Sequence, residues 1–225
     1  MIQMDKVIII GGKGSAVVAA EQMLDARERL DAPIDLLGFA FDDPEFGDEI
    51  YGFPVLCKTT DVWNEYKDQK DVKFIFQLYR PDLLKERMAL KDSYGIPEDR
   101  FYTFIHPSCM ISRSAQIGVG TIIMANTVVN SNARIGKFCT IQSNVTIGHD
   151  SVMGDYNFIA TQSTVGNLVM GDCNFMGINS SSNNFITIGD DCFIGMASNV
   201  VKSIPSNTKV YGNPAKPFEG PIKPL

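Results

Sequence analysis

Aliphatic residues recur at every sixth position from Ile105: Ile111, Ile117, Ile123, Val129, Ile135, Ile141, Ile147, Met153, Ile159 and Val165 follow without exception. One residue is then missing, and the count resumes at Met170, Met176, Ser182, Ile188, Ile194 and Val200, with Ser182 the single polar member. A period of six fits neither the 3.6 of a helix nor the alternation of an ordinary strand. It demands one inward side chain per flat face of a repeating coil, so the chain from Ile105 onward is predicted to be a β-helix. Three such faces closing a turn give roughly eighteen residues per turn, with stacked turns rising by ~4.8 Å.

Two further rows follow the same count. Glycine often stands just after the aliphatic residue, as at Gly118, Gly136, Gly148, Gly154, Gly166, Gly171, Gly177, Gly189 and Gly195. It is expected there to relieve a corner that needs unusual backbone angles. Four positions after the aliphatic residue the side chain is usually small (Cys109, Ala115, Thr121, Thr127, Ala133, Cys139, Ser151, Ser163, Ser180, Cys192, Ser198), which suits a narrow coil. The gap between Val165 and Met170 should bend or tighten a corner. The polar run around Ser182, from Asn179 to Asn184, must find hydrogen bonds, as in an Asn or Ser ladder.

Upstream, the pattern changes to strands alternating with helices. Strands are expected at 7–10, 34–41, 72–78 and 101–105, and helices at 16–24, 60–66 (capped by Thr60 or Asp61) and 81–94. Gly52-Phe53-Pro54-Val55 reads as a connector. This is a small parallel α/β domain, Rossmann-like, occupying 1–104. The coil then runs from 105 to 204, and 205–225, with Gly212-Asn213-Pro214-Ala215-Lys216, forms a C-terminal cap of the kind a solenoid needs.

A formal charge of −6 and a pI near 4.9 argue against nucleic acid or an anionic membrane as a general partner. Charge is uneven: residues 138–196 hold five Asp and no Lys or Arg, whereas the tail carries Lys202, Lys209, Lys216 and Lys223 against Glu219 alone. That tail is either a local anion site or a solvated basic end. Five cysteines without a CxxC pair suit a reducing compartment. With no signal-peptide pattern and no long apolar run, a soluble cytoplasmic protein with no membrane insertion is expected.

Candidate chemistry is sparse. Gly11-Gly12-Lys13-Gly14, between a strand and a helix, is a place where backbone N–H groups could face a phosphate, or simply a tight βα turn. Asp42, after the second strand, could hold a nucleoside or belong to a plain turn signal. His106 precedes a proline at the domain junction and is assigned a structural or capping role. His149, two positions after Ile147, should lie at a corner with its ring outward and Asp150 beside it, which makes it a candidate general base. Two histidines cannot build the three-His zinc site of a metal-dependent hydratase, and no motif for a covalent Ser or Cys nucleophile is readable, so no metal is expected.

The hexad run, the Gly212–Lys216 cap, His149-Asp150 before Val152-Met153-Gly154-Asp155, and a glycine-turn α/β domain joined through His106-Pro107-Ser108 together resemble the bacterial sugar acyltransferases of the sialic-acid O-acetyltransferase and bacillosamine N-acetyltransferase type. The resemblance covers nearly the whole chain. It implies a left-handed β-helix, a homotrimer, and acetyl-CoA as co-substrate in a groove between neighbouring coils. A nucleotide-linked sugar would be held by the N-terminal domain near Gly11, Gly12, Lys13 and Asp42. It makes His149 the general base, Asp150 its acidic neighbour, and Gly177, Ile178 and Met196 the positions of backbone contacts to acetyl-CoA. Three departures stand out. Phe158 replaces a second histidine, Gly12-Lys13-Gly14 replaces an ending in Gly-Gly-His, and Gln77-Leu78-Tyr79-Arg80 replaces Gly-Asp-Asn. These lie mostly on the acceptor side, leaving open which sugar is acetylated, whether on nitrogen or oxygen, and whether it is nucleotide-linked. The competing reading, favoured by those departures, is a non-catalytic trimeric scaffold or sugar-nucleotide-binding protein.

Overall fold

The computed structural model describes residues 4–221; residues 1–3 and 222–225, Lys223 among them, lie outside the described residues. The chain forms two compact units. One runs to Tyr79 and takes in Glu86–Thr103; the other comprises Arg80–Lys85 and everything from Phe104 onward.

The first unit is built on β1 (Asp5–Ile10), α1 (Ser15–Leu30), β2 (Ile34–Ala40), β3 (Glu49–Ile50), β4 (Phe53–Cys57), α2 (Val62–Tyr66), β5 (Val72–Phe76) and, from Glu86 on, α3 (Leu84–Ser93). Val7–Ile10 is fully buried, as a strand covered on both faces must be. On α1, Ala16, Ala19, Ala20, Met23 and Ala26 are buried at helical spacing. The sheet order is β3-β4-β2-β1-β5, parallel except for the β3/β4 hairpin. The chain therefore reverses its direction of travel across the sheet beside β1, and the glycine turn after β1 sits at that switch point.

Several expected bounds move. Phe53–Cys57 is a strand rather than a connector, because Val55 and Cys57 find partners in Phe39 and Ala40 and pairing overrides the Gly-Phe-Pro turn signal. The expected strand at 101–105 is divided: Phe101 bridges to Phe74, while Phe104–Ile105 forms the first rung of the coil. α3 begins at Leu84, since the preceding Arg80 and Asp82 are tied to each other through a two-residue turn. Neither Thr60 nor Asp61 caps α2 with its side chain.

The second unit is a left-handed coil of three parallel ladders. The first face stacks Phe104–Ile105, Ile122–Ile123, Thr140–Ile141, Phe158–Ile159, Phe175–Met176 and Phe193–Ile194. The second holds Met110–Ile111, Val128–Val129, Thr146–Ile147, Thr164–Val165, Ser181–Ser182 and Asn199–Val200; the third begins at Gln116–Ile117 and ends at Thr187–Ile188. The aliphatic row fills the interior from Ile123 to Val200. The first ladder continues past residue 204: Lys209–Tyr211 pairs with Phe193–Ile194 and folds back as a hairpin onto Lys216–Pro217.

The glycines after the aliphatic row do not supply unusual backbone angles. Left-handed φ values fall two positions later, at Asn126, Asn132, Asn144, Asp150 and Asn179 among others. Those glycines stack on one another instead. A Cβ at Gly118 would lie 2.5 Å from the carbonyl carbon of Gly136, and one at Gly148 would lie 2.9 Å from that of Gly166. Close approach of successive turns, not torsion, selects glycine.

The shortened corner between Val165 and Met170 loses its left-handed residue, and Leu168 fills the small-residue row. In the unbroken corners the glycine N–H donates to the aliphatic residue's carbonyl one turn on, as Gly148 does to Val165. Here Gly166 N–H donates to the Ser182 side chain at 2.9 Å, which explains the one polar member of the row. The expected ladder is present as serines: Ser180 N–H donates to Ser163 Oγ at 3.3 Å and Ser180 Oγ accepts from Ser198 N–H at 3.2 Å, and an asparagine ladder runs on another edge. Asn157 Oδ1 accepts from Asn174 N–H at 2.8 Å, and Asn174 Oδ1 accepts from Cys192 N–H at 2.7 Å. Asn174 is fully buried, so Asn174→Ala orphans the Cys192 donor. A loss of about 2–3 kcal/mol in urea unfolding at unchanged slope is expected.

Candidate active site

His149 sits on the edge where the second face turns into the third. Its backbone is held from both sides: Gly148 N–H donates to Val165 O at 2.7 Å, and Asp150 N–H to Ser131 O at 2.9 Å. Asp150 takes the left-handed corner conformation at φ 58°, which a short polar residue tolerates. The ring is thus carried outward on rigid backbone, and the His149 side chain is 65% exposed.

The imidazole Nδ1 lies 2.6 Å from Asp150 Oδ2. Hydrogen bonds first from His149 and then from Asn132 hold the Asp150 carboxyl below its ordinary range. An ionised carboxylate only accepts, so in the neutral ring Nδ1 carries the proton and the lone pair is left on Nε2. Asn132, one turn earlier on the same edge, donates from Nδ2 to Asp150 Oδ1 at 3.1 Å, and its own N–H donates to Ser114 Oγ at 2.9 Å. Ser114, Asn132 and Asp150 form one hydrogen-bonded column ending on the ring. Asn132 was not singled out from sequence, although counting one full turn back from Asp150 lands on it.

Gly177, Ile178 and Met196 lie on a different edge, between the first and second faces. Ile178 is 51% and Met196 60% exposed, both unusual for such apolar side chains. Gly177 admits no side chain, because a Cβ would lie 2.6 Å from Met196 N. Within one chain these residues are not brought to His149. Phe158 is part of an aromatic column on the first face, its ring 5.5 Å from Phe175, which stacks in turn on Phe193 at 5.1 Å.

In the α/β unit, Gly11 has φ 135°, and a Cβ there would lie 2.7 Å from Gln77 O, so the βα turn requires glycine twice over. Gly12 and Lys13 line an open cleft of about 340 Å³ together with Val17, Glu21, Phe46 and Tyr51. Lys13 is paired with Asp43 and lies 5.2 Å from the centre of the Phe46 ring. Its hydrogen bond to Asp43 raises the lysine pKa and lowers that of the carboxyl. Asp42 does not line this cleft; its two oxygens accept from the N–H and hydroxyl of Thr59. His106 is 3% exposed and its Nδ1 accepts from Ser108 N–H at 3.2 Å. Among the described residues no helix is long and apolar enough to cross a membrane, and no group of three or more His, Cys, Asp or Glu is placed to hold a metal.

Comparison with known proteins gives three findings. The family described as bacterial transferase hexapeptide (six repeats) matches residues 132–167. UDP-N-acetylbacillosamine N-acetyltransferase of Bacillus subtilis (strain 168) is 35% identical over 124 residues, which span 54% of this chain and 52% of that protein. The chain thus matches about half the length of that curated relative. Among solved structures, the acetyltransferase domain of PglB from Neisseria gonorrhoeae FA1090 in complex with acetyl coenzyme A superposes with a TM-score of 0.82. It is 24% identical, over 96% of this chain and 100% of that one. A histidine-to-asparagine mutant of perosamine N-acetyltransferase from Caulobacter crescentus, in complex with CoA and GDP-perosamine, gives 0.79 at 22% identity, over 98% and 99%. At these identities the two structures establish the shared fold.

Proposed function

We infer that this chain, which belongs to the bacterial hexapeptide-repeat proteins, is an acetyl-CoA-dependent sugar acetyltransferase that works as a trimer in the cytoplasm. The observation that carries the reading is the His149–Asp150 pair, an outward imidazole whose Nε2 is left as the basic nitrogen on a rigid corner. The similar proteins add that a Bacillus relative is an N-acetyltransferase of a nucleotide-linked sugar and that proteins of this fold bind acetyl-CoA or CoA and GDP-perosamine. An amine on a nucleotide-linked sugar is accordingly the proposed acceptor.

In the proposed reaction His149 Nε2 takes the proton from the acceptor nitrogen as its lone pair attacks the thioester carbonyl. The carbon–sulfur bond then breaks, CoA leaves as the thiol, and Asp150 stabilises the imidazolium between the two steps. Donor-binding groups at Gly177, Ile178 and Met196 are on another edge of the coil, so the site needs a second copy of the chain, as in a trimer of parallel coils. The glycine turn and Lys13 would receive the nucleotide phosphates, with Lys13 exchanging Asp43 for phosphate oxygens. Phe158 and the altered turns would narrow the choice of sugar.

Release of CoA thiol from acetyl-CoA, measured over nucleotide-linked amino sugars and their hydroxyl counterparts, tests this reading. Release that depends on one amino sugar supports it. Acetyl-CoA binding without release for any acceptor removes the proposed acceptor class, and absence of binding favours the scaffold. Asn132 is proposed as a positioning residue acting through Asp150. Asn132→Gly keeps the left-handed corner but deletes the amide, and should lower kcat about tenfold with KM for acetyl-CoA unchanged. Loss of the fold, or a change in KM alone, would rule that role out.

A further inference from the structure

Phe185 is 84% exposed, more than any other large apolar side chain described. It also holds a left-handed corner at φ 60°, a conformation costly for a bulky side chain and given elsewhere in the coil to Asn126, Asn132, Asn144 or Asn179. Two other aromatic residues occupy such corners, Phe138 and Tyr156. They are buried and stack on each other at 5.1 Å, so packing accounts for them. Packing within the chain does not account for Phe185.

Its place does. Phe185 is on the same edge as His149 and in the same column as Asp150, two turns further along, or ~10 Å. The shortened corner at Gly166–Leu168 lies between them and leaves the edge one residue lower there. Ile178 is in the same turn as Phe185, on the neighbouring edge. One turn beyond Phe185 the exposed Lys202 follows on the His149 edge. A basic nitrogen, a corner one residue short flanked by Asn167 and Asn184, an apolar ring and a cation thus succeed one another along one line. An acyl thioester, an amide-containing arm with an apolar branch, and a diphosphate follow in the same order in acetyl-CoA. The two amide-linked segments of the pantetheine arm, each somewhat longer than a residue of ~3.5 Å, span the interval from His149 to Phe185.

We propose that Phe185 is a donor-binding residue, its ring lying against the pantetheine arm of acetyl-CoA as the arm crosses the shortened corner at Gly166–Leu168. This rests on the acetyltransferase reading above. Calorimetric titration of the full chain with acetyl-CoA and with S-acetyl pantetheine, which keeps the arm and lacks the nucleotide, tests it on wild type and Phe185→Asn. The asparagine suits the left-handed corner, so the melting temperature should hold or rise. Kd for both donors should increase about tenfold, with acceptor KM and native mass unchanged. Phe185→Tyr should restore most of the affinity. If wild type binds acetyl-CoA and Phe185→Asn binds it equally, this inference fails alone. A rise in acceptor KM instead, or dissociation of the oligomer, assigns the ring to the acceptor or to the subunit interface and also overturns it. Wild type that binds neither donor overturns both this inference and the reading beneath it.

Discussion

Replacing His149 by alanine is expected to lower turnover by about 10²–10⁴, the contribution of a positioned general base. Affinity for acetyl-CoA should be unchanged, because the contacts assigned to the donor at Gly177, Ile178, Met196 and Phe185 all remain in the variant. The fold should also be untouched, since the side chain is 65% exposed and its backbone is held by hydrogen bonds from Gly148 and Asp150 that alanine keeps. Steady-state kinetics with single-turnover controls would show kcat and kcat/KM falling together. Full turnover in the variant would remove His149 from the chemistry. Asp150→Asn should act in the same direction, because a neutral amide can offer its NH₂ to Nδ1 and reverse the tautomer that leaves Nε2 basic.

The second large effect concerns the scaffold. Gly118→Ala is expected to destabilise the coil by about 3 kcal/mol, because the new methyl would meet the Gly136 carbonyl carbon at 2.5 Å and its oxygen at 2.6 Å. Backbone on both sides leaves little room to give, since the ladder joins Gly118 N–H to Ile135 O at 2.9 Å. Asn144→Gly, at a left-handed corner, should by contrast change stability little, since glycine enters that conformation without a steric penalty. Denaturant unfolding of the pair separates stacking from torsion as the reason for the glycine column. Equal effects would contradict the stacking account.

The hexad phase carried most of the coil. It located the interior row from Ile123 to Val200, the corner bearing His149 and the break at Val165–Met170, because one side chain per face is a local signal that repeats. What it could not carry was the contact between successive turns. Sequence alone points the glycine column to torsion, because the approach of Gly118 to Gly136 exists only once the turns are stacked. The ladder expected in 179–184 exists as serines through Ser180, whereas the one built by Asn157 and Asn174 joins residues a full turn apart and is not a local signal. Asn132 escaped notice for the same reason, one full turn away from the carboxylate it holds.

In the α/β unit, adjacent acids after β2 were indistinguishable in sequence. Asp42 turned inward to Thr59, while Asp43 took Lys13. The connector at Phe53 became a strand because an edge of β2 was available to pair with it. Those outcomes depend on tertiary partners, and residue type alone does not report them.

The most direct test of the account is subunit complementation. His149→Ala and Ile178→Trp carry lesions on different edges of the coil, and each trimer should be inactive alone. Co-expressed in equal amounts they should assort at random, each mixed trimer holding one site that pairs an intact His149 with an intact donor edge from a neighbouring chain, or about a quarter of all sites in the population. Thiol release from acetyl-CoA at about a quarter of the wild-type rate is the expected result. No recovery in trimers shown by mass to be mixed would place both lesions in one chain's site and contradict the account.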